Sequence, residues 1–169
     1  MRRSTVLFAA VAAMPALSPT AVSAQSFDGA RVIQSAQLSD LKAVVTSLGH
    51  TIDAEGVSGE HSLRVITEDG LRYLLIGTAC NVGDVAGCQG VMMQVRFTID
   101  NGEEILVENV NRANYEQAAI NAWFNEDSRM MGITRYVVLD HGITLANLKS
   151  NVDVLLAITP MVMDVVRDR

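Results

Sequence analysis

The stretch from Leu63 to Ile99 constrains the fold more than any other. Leu63-Arg64-Val65-Ile66 and Leu71-Arg72-Tyr73-Leu74-Leu75-Ile76 flank Asp69-Gly70, a dipeptide that tolerates the positive φ angles of a tight hairpin turn. Val91 to Ile99 alternates apolar and polar residues well enough to pair with Tyr73 to Thr78, and Asp100-Asn101-Gly102 ends the run. A meander of antiparallel strands is therefore expected, with Thr51 to Ala54 as a weaker candidate beside it.

Helical spacing surrounds this block. From Gln37, residues Leu38, Leu41, Val44, Val45 and Leu48 recur on one face until Gly49 stops the pattern. A second helix is expected to open at Asn114-Tyr115-Glu116-Gln117 and run through Ala118, Ala119, Ala122 and Trp123, which would bury the sole tryptophan against the sheet. Met130 to Leu139 reads as a strand pair or as one strand bent at Gly132. Thr144 is an N-cap candidate for a last helix with Leu145, Leu148, Val152, Leu155, Leu156, Val162 and Val166 on one stripe, which Pro160 is expected to kink or divide. This order favours an α+β fold, an antiparallel sheet flanked by helices.

The amino terminus carries a different signal. Arg2-Arg3, an apolar run from Val6 to Leu17 and the small-residue ending Ala21-Val22-Ser23-Ala24 follow the order of a secretory leader cut after Ala24. Pro15, Ser18, Pro19 and Thr20 cut the run short of the roughly 20 apolar residues of a bilayer span. The expected organisation is a signal peptide over 1–24, a flexible segment over 25–36 and one domain over 37–169. Periplasmic or secreted localisation follows, with no membrane span left after processing.

Export gives the cysteines their meaning. Cys80 and Cys88 bracket a loop rich in Gly, Asn and Asp, and in an oxidising compartment they are expected to form a disulfide. A redox-active pair is the alternative, but it usually has the C-x-x-C spacing, which is absent here.

Charge narrows the partners. Without Arg2 and Arg3, the 13 basic residues fall to 11 against 19 acidic ones, a formal charge of −8. Phosphate backbones call for a basic face, so nucleic acid is not an expected partner.

Ile120-Asn121-Ala122-Trp123, Arg129-Met130-Met131 and the run from Asp140 to Leu148 through Gly142-Ile143-Thr144 resemble the YbjN family of bacterial proteins. Phe124 stands where that family usually has Asn, and the segment from Arg129 to Gly142 lacks its acidic Gly-Asp-Pro turn. The resemblance, which extends to an exported two-cysteine branch of that family, implies a sensory transduction regulator with a fold similar to type III secretion chaperones. It also implies a non-enzymatic, protein-binding or chaperone-like module, with pairing to a second copy of the chain as a further expectation.

No catalytic, cofactor-binding or metal site emerges from the residues. The glycine-rich run from Gly83 to Gly90 lacks Gly-Lys-Ser/Thr, and Gly56-Val57-Ser58-Gly59 is not a nucleophile elbow. His50, His61 and His141 are scattered near turns. A hydrolase or redox enzyme assembled only in the fold remains the alternative, and would require one of these histidines in a deep polar cleft beside Asp84 or Asp140. The methionines, Met92, Met93, Met130, Met131, Met161 and Met163, suit either packing or an adaptable binding surface. Met161 and Val165, beside the last helix's stripe, are the candidate interaction surface.

Overall fold

The computed structural model describes residues 27–168; the expected leader over 1–24 and its cut after Ala24 lie outside the described residues. In chain order the elements are β1 (Val32–Ile33), α1 (Leu38–Ser47), β2 (Thr51–Glu55), β3 (Ser62–Ile66), β4 (Arg72–Cys80), β5 (Cys88–Thr98), α2 (Val107–Glu116), β6 (Asn121–Asn125), β7 (Met130–Val138), β8 (Ile143–Thr144) and α3 (Leu145–Val166). Strands β2 to β7 form a six-stranded sheet in the order β2-β3-β4-β5-β7-β6, antiparallel throughout. This is the α+β architecture expected from the sequence.

The meander forms as its alternation requires. Tyr73 pairs with Val65 on one side and Val95 on the other. Paired residues share a face, so Leu63, Val65, Tyr73, Leu75, Met93, Val95, Met131 and Ile133 point together into the core. Helices α1 and α3 pack on that face. Helix α1 contributes Leu41, Val44 and Val45, then stops where Gly49 adopts φ +74°, a conformation that penalises any Cβ.

Helix α3 opens as expected: the Thr144 hydroxyl accepts from Asn147 N–H at 3.1 Å, a cap worth about 1 kcal/mol. Two further end amides of this helix, Leu145 and Ala146, donate to the carbonyls of Arg31 and Gly29, each at 3.0 Å. Pro160 does not divide the helix, which runs unbroken to Val166. The proline is exposed, so its missing N–H falls on the solvent side, while the Thr159 hydroxyl donates inward to the Leu155 carbonyl at 2.8 Å.

Two expectations are corrected. The segment 25–36 is not a loose lead where it is described: Val32–Ile33 pairs with Ile143–Thr144, Ile33 and Ala36 are buried, and Arg31 forms a salt bridge with the buried Asp40 of α1. Its anchors come from Cys88, β8 and α1, remote partners with no local pattern. The second helix lies earlier, over Val107–Glu116, and Trp123 belongs to strand β6. Ala122 is buried and Phe124 packs against the core, while Trp123 points to the opposite face. That alternation is period two, and it overrides the helical propensity of the alanines before it.

Met130–Val138 is one strand, resolving the choice left open by the sequence, and its hairpin partner is β6. Cys80 and Cys88 are direct cross-strand partners joined by a disulfide, their Cα atoms 3.8 Å apart. Cys88 also exchanges both backbone hydrogen bonds with Ala36, so the bridge and the amino-terminal segment support each other.

Candidate interaction face

One face of the sheet is covered by helices. On the other, no helical layer lies among the described residues, and a set of side chains is held there by register. Arg64, Leu74, Gln94 and Thr134 form a row across β3, β4, β5 and β7. Ser62, Ile76, Met92 and Tyr136 form the next row along the same strands. On the other side of the first row, Arg96 pairs with Gly132 and Gly132 with Trp123, and Arg72 lies just past the last β4–β5 pair, opposite Arg96.

Glycines make room for the aromatics. The Trp123 indole lies over Gly132, where a methyl group would fall within the ring, and the Tyr136 phenol lies in the same way over Gly90. Both rings are then oriented by hydrogen bonds. Trp123 Nε1 donates to Thr134 Oγ1 at 3.2 Å, and Tyr136 OH lies 2.9 Å from Thr78 Oγ1.

The Thr134 hydroxyl joins the tryptophan to the arginines. It also accepts from Gln94 Nε2 at 2.8 Å, and Gln94 Oε1 accepts from Arg96 Nε at 2.5 Å. Gln94 is buried, so this chain of donors fixes the Arg96 guanidinium by its Nε and leaves the terminal amino groups free. Arg64 Nε is held in the same manner by Asp53. Among the described residues, no carboxylate bridges Arg72 or Arg96. Arg64, Arg72, Tyr73, Leu74, Gln94 and Arg96 line a shallow pocket of about 160 Å³.

The residues singled out from the sequence occupy other places. Met161 is 50% exposed on α3, whereas Val165 is partly buried against the core and its carbonyl accepts from Arg112. The two do not form one uniform patch. Met93 and Met131 are fully buried, whereas Met92 and Met130, both part-exposed, take the uncovered face by register.

The histidines lie in separate settings. His50 Nδ1 is 3.0 Å from the hydroxyl of Tyr73, whose phenol is pushed above its ordinary range by burial and, secondarily, by Asp153. His61 has its Nδ1 buried without a hydrogen-bond partner. Asp140 and His141 are adjacent on a turn, beside an open pocket shared with Gln34, Val85 and Gln89. Among the described residues, no three His, Cys, Asp or Glu side chains form a metal-binding cluster, and no helix is long and apolar enough to cross a membrane.

An antiparallel sheet with helices on one face and an uncovered second face defines an α+β protein. The chain belongs to the YbjN family: residues 37–167 match the family model described as "Putative bacterial sensory transduction regulator". None of the curated proteins matches the chain. Among solved structures it is similar to YbjN of E. coli, described as "a putative transcription regulator", with a TM-score of 0.58 and 12% identity over 79% of this chain and 92% of that one. At that identity the likeness establishes a shared fold. An uncharacterised protein from Methanothermobacter thermautotrophicus also matches, with a TM-score of 0.49 and 10% identity over 76% of this chain and 95% of that one. The HopA1–SchA chaperone–effector complex matches with a TM-score of 0.47 and 12% identity over 79% of this chain and 99% of that one.

The uncovered face was missed by sequence reasoning. Arg64, Arg72 and Arg96 are spread along three strands and meet only through register. One signal was available: Gln94, a polar residue amid the apolar run of β5, marks the face that does not enter the core.

Proposed function

We propose that this YbjN-family chain is an exported, non-enzymatic binding module that engages a protein through the uncovered sheet face. One observation carries the reading: the part-exposed Leu74, Met92 and Trp123 and the exposed Tyr136 gather on the side of the sheet away from the helices. A face meant only for water would be dominated by polar side chains. The rings are already oriented by Thr134 and Thr78, so binding would cost little ordering entropy. The leader motif and the Cys80–Cys88 bridge support an oxidising compartment outside the cytoplasm. Met161 offers a smaller second contact on α3, suited to pairing with another copy of the chain.

Photo-crosslinking in the native host tests this. A photoreactive residue at Met92 or Tyr136 should yield a discrete protein adduct, and the same probe at Glu108 on the helical side should not. Equal labelling at both positions, or none at the sheet positions, would remove the reading. Mass spectrometry of the recovered protein should find Gln25 as its first residue; an intact leader on a cytoplasmic product would overturn export.

A further inference from the structure

We propose that Arg64, Arg72 and Arg96 form a docking site for an acidic segment of a partner protein, with one apolar side chain of that segment seated on Leu74 between the guanidiniums. The inference rests on the protein-binding reading above and names the chemistry of the partner. Three features of the pocket support it.

The first is charge. The chain is acidic overall, with a formal charge of −6, yet this pocket brings together three of its arginines. Only Arg64 has a carboxylate, Asp53, while Arg72 and Arg96 have none among the described residues. Such a local excess is matched by carboxylates supplied from outside.

The second is pre-organisation. Arg96 is oriented by Gln94, which is itself oriented by Thr134, and Arg64 is oriented by Asp53. In both arginines Nε is occupied and the terminal amino groups remain available, and a guanidinium so held presents a planar fork to a carboxylate.

The third feature separates a peptide from other anions. Leu74 lies between the arginines in the β3–β4–β5 register. Free phosphate would leave that apolar floor wet, whereas an aliphatic side chain flanked by carboxylates would cover it. Nucleic acid would also meet the repulsion of an acidic protein beyond the pocket.

The test uses the lone tryptophan, whose ring lies over Gly132, the cross-strand partner of Arg96. A peptide with one leucine flanked on each side by two glutamates is titrated into the processed protein, following Trp123 emission and the fluorescence anisotropy of a labelled peptide. Saturable binding should weaken with salt, and the glutamine counterpart should bind at least about tenfold more weakly. Arg72→Gln and Arg96→Gln should each weaken binding about tenfold while leaving the thermal melt unchanged.

Equal binding of the glutamine peptide, or retention of affinity in both variants, would overturn the proposal. So would stronger competition by inorganic phosphate or an oligonucleotide than by unlabelled acidic peptide. Loss of self-association in Arg72→Gln/Arg96→Gln by sedimentation, without peptide binding in the parent, would assign the face to a second copy instead. If the Met92 crosslink persists in the double variant, the arginine site falls while the protein-binding reading survives; if the parent gives no crosslink, the broader reading falls.

Discussion

The side-chain amide of Asn114 satisfies both backbone hydrogen-bonding groups of Ala122. Ala122 N–H donates to Asn114 Oδ1 at 2.7 Å, and Asn114 Nδ2 donates to the Ala122 carbonyl at 3.0 Å. Ala122 lies on β6, an outer strand of the sheet, so an amide carried by α2 stands in for one residue of a missing neighbour strand and blunts the edge. Asn114→Ala should cost about 2 kcal/mol, since it leaves two backbone groups without their partner. Urea denaturation would measure it, with Asn114→Asp, which keeps the acceptor, falling between the two. An unchanged midpoint for Asn114→Ala would show that water replaces the amide freely.

Gly132→Ala should displace Trp123, because the added methyl would occupy the space of the indole. A loss of about 1–3 kcal/mol is expected from the forced repacking, together with a red shift of tryptophan emission. Gly102→Ala is the matched control, since nothing lies within 4 Å of a Cβ built there, and its stability should stay near that of the parent.

Replacing both Cys80 and Cys88 by Ser should lower stability by about 2.5 kcal/mol on the chain-entropy model for this short loop. Thiol labelling of the unreduced protein should find neither sulfur. Cys88 is fully buried and bonded to Ala36, so the variant should also speed amide exchange at Ala36; labelling without reductant would contradict the bridge.

Tyr73 makes stability sensitive to alkali. Burial raises the phenol's pKa in the folded state, with Asp153 adding to the effect. Its contribution is therefore complete below the unfolded value of about 10 and is lost as the pH rises beyond it. Thermal melts across alkaline pH should fall more steeply for the parent than for Tyr73→Phe. Parallel slopes would mean that Tyr73 is not the group responsible.

Met161→Glu and Val165→Glu should separate by burial. Met161 is half exposed and should accept the charge with little loss, whereas Val165 packs on the core and should lose about 1–3 kcal/mol. Circular dichroism melts would compare them, and sedimentation would show whether Met161→Glu alters self-association. Equal destabilisation would place both in the core.

The elements legible in the sequence were those with long periodic signals. Helix α1, the β3–β4–β5 meander and helix α3 each carry enough repeats for burial to leave a pattern. Strand β6 was hidden because Ala118 and Ala119 lead into it with helical propensity, and its alternation is confined to Ala122, Trp123 and Phe124. Helix α2 buries only Val110 and Ala113, too thin a stripe to stand out. Strands β1 and β8 are each two residues long, below the length at which periodicity has meaning. The arginine pocket depends on pairings between distant positions, such as Leu74 with Gln94, which no local window contains.

The seam between β1 and the start of α3 joins residues more than 100 positions apart in the chain, which bears on when the fold can close. Val32 pairs with Thr144, and Gly29 and Arg31 receive the first amides of α3, so strand β1 leaves the ribosome long before its partner strand does. Closing so large a loop is entropically costly and slow. A nascent chain lacking α3 keeps α1 on the inner face of its sheet but lacks the longer helix that covers β5 and β7. It should stay open until synthesis is complete, which is the state that the proposed export through a narrow translocation channel would require.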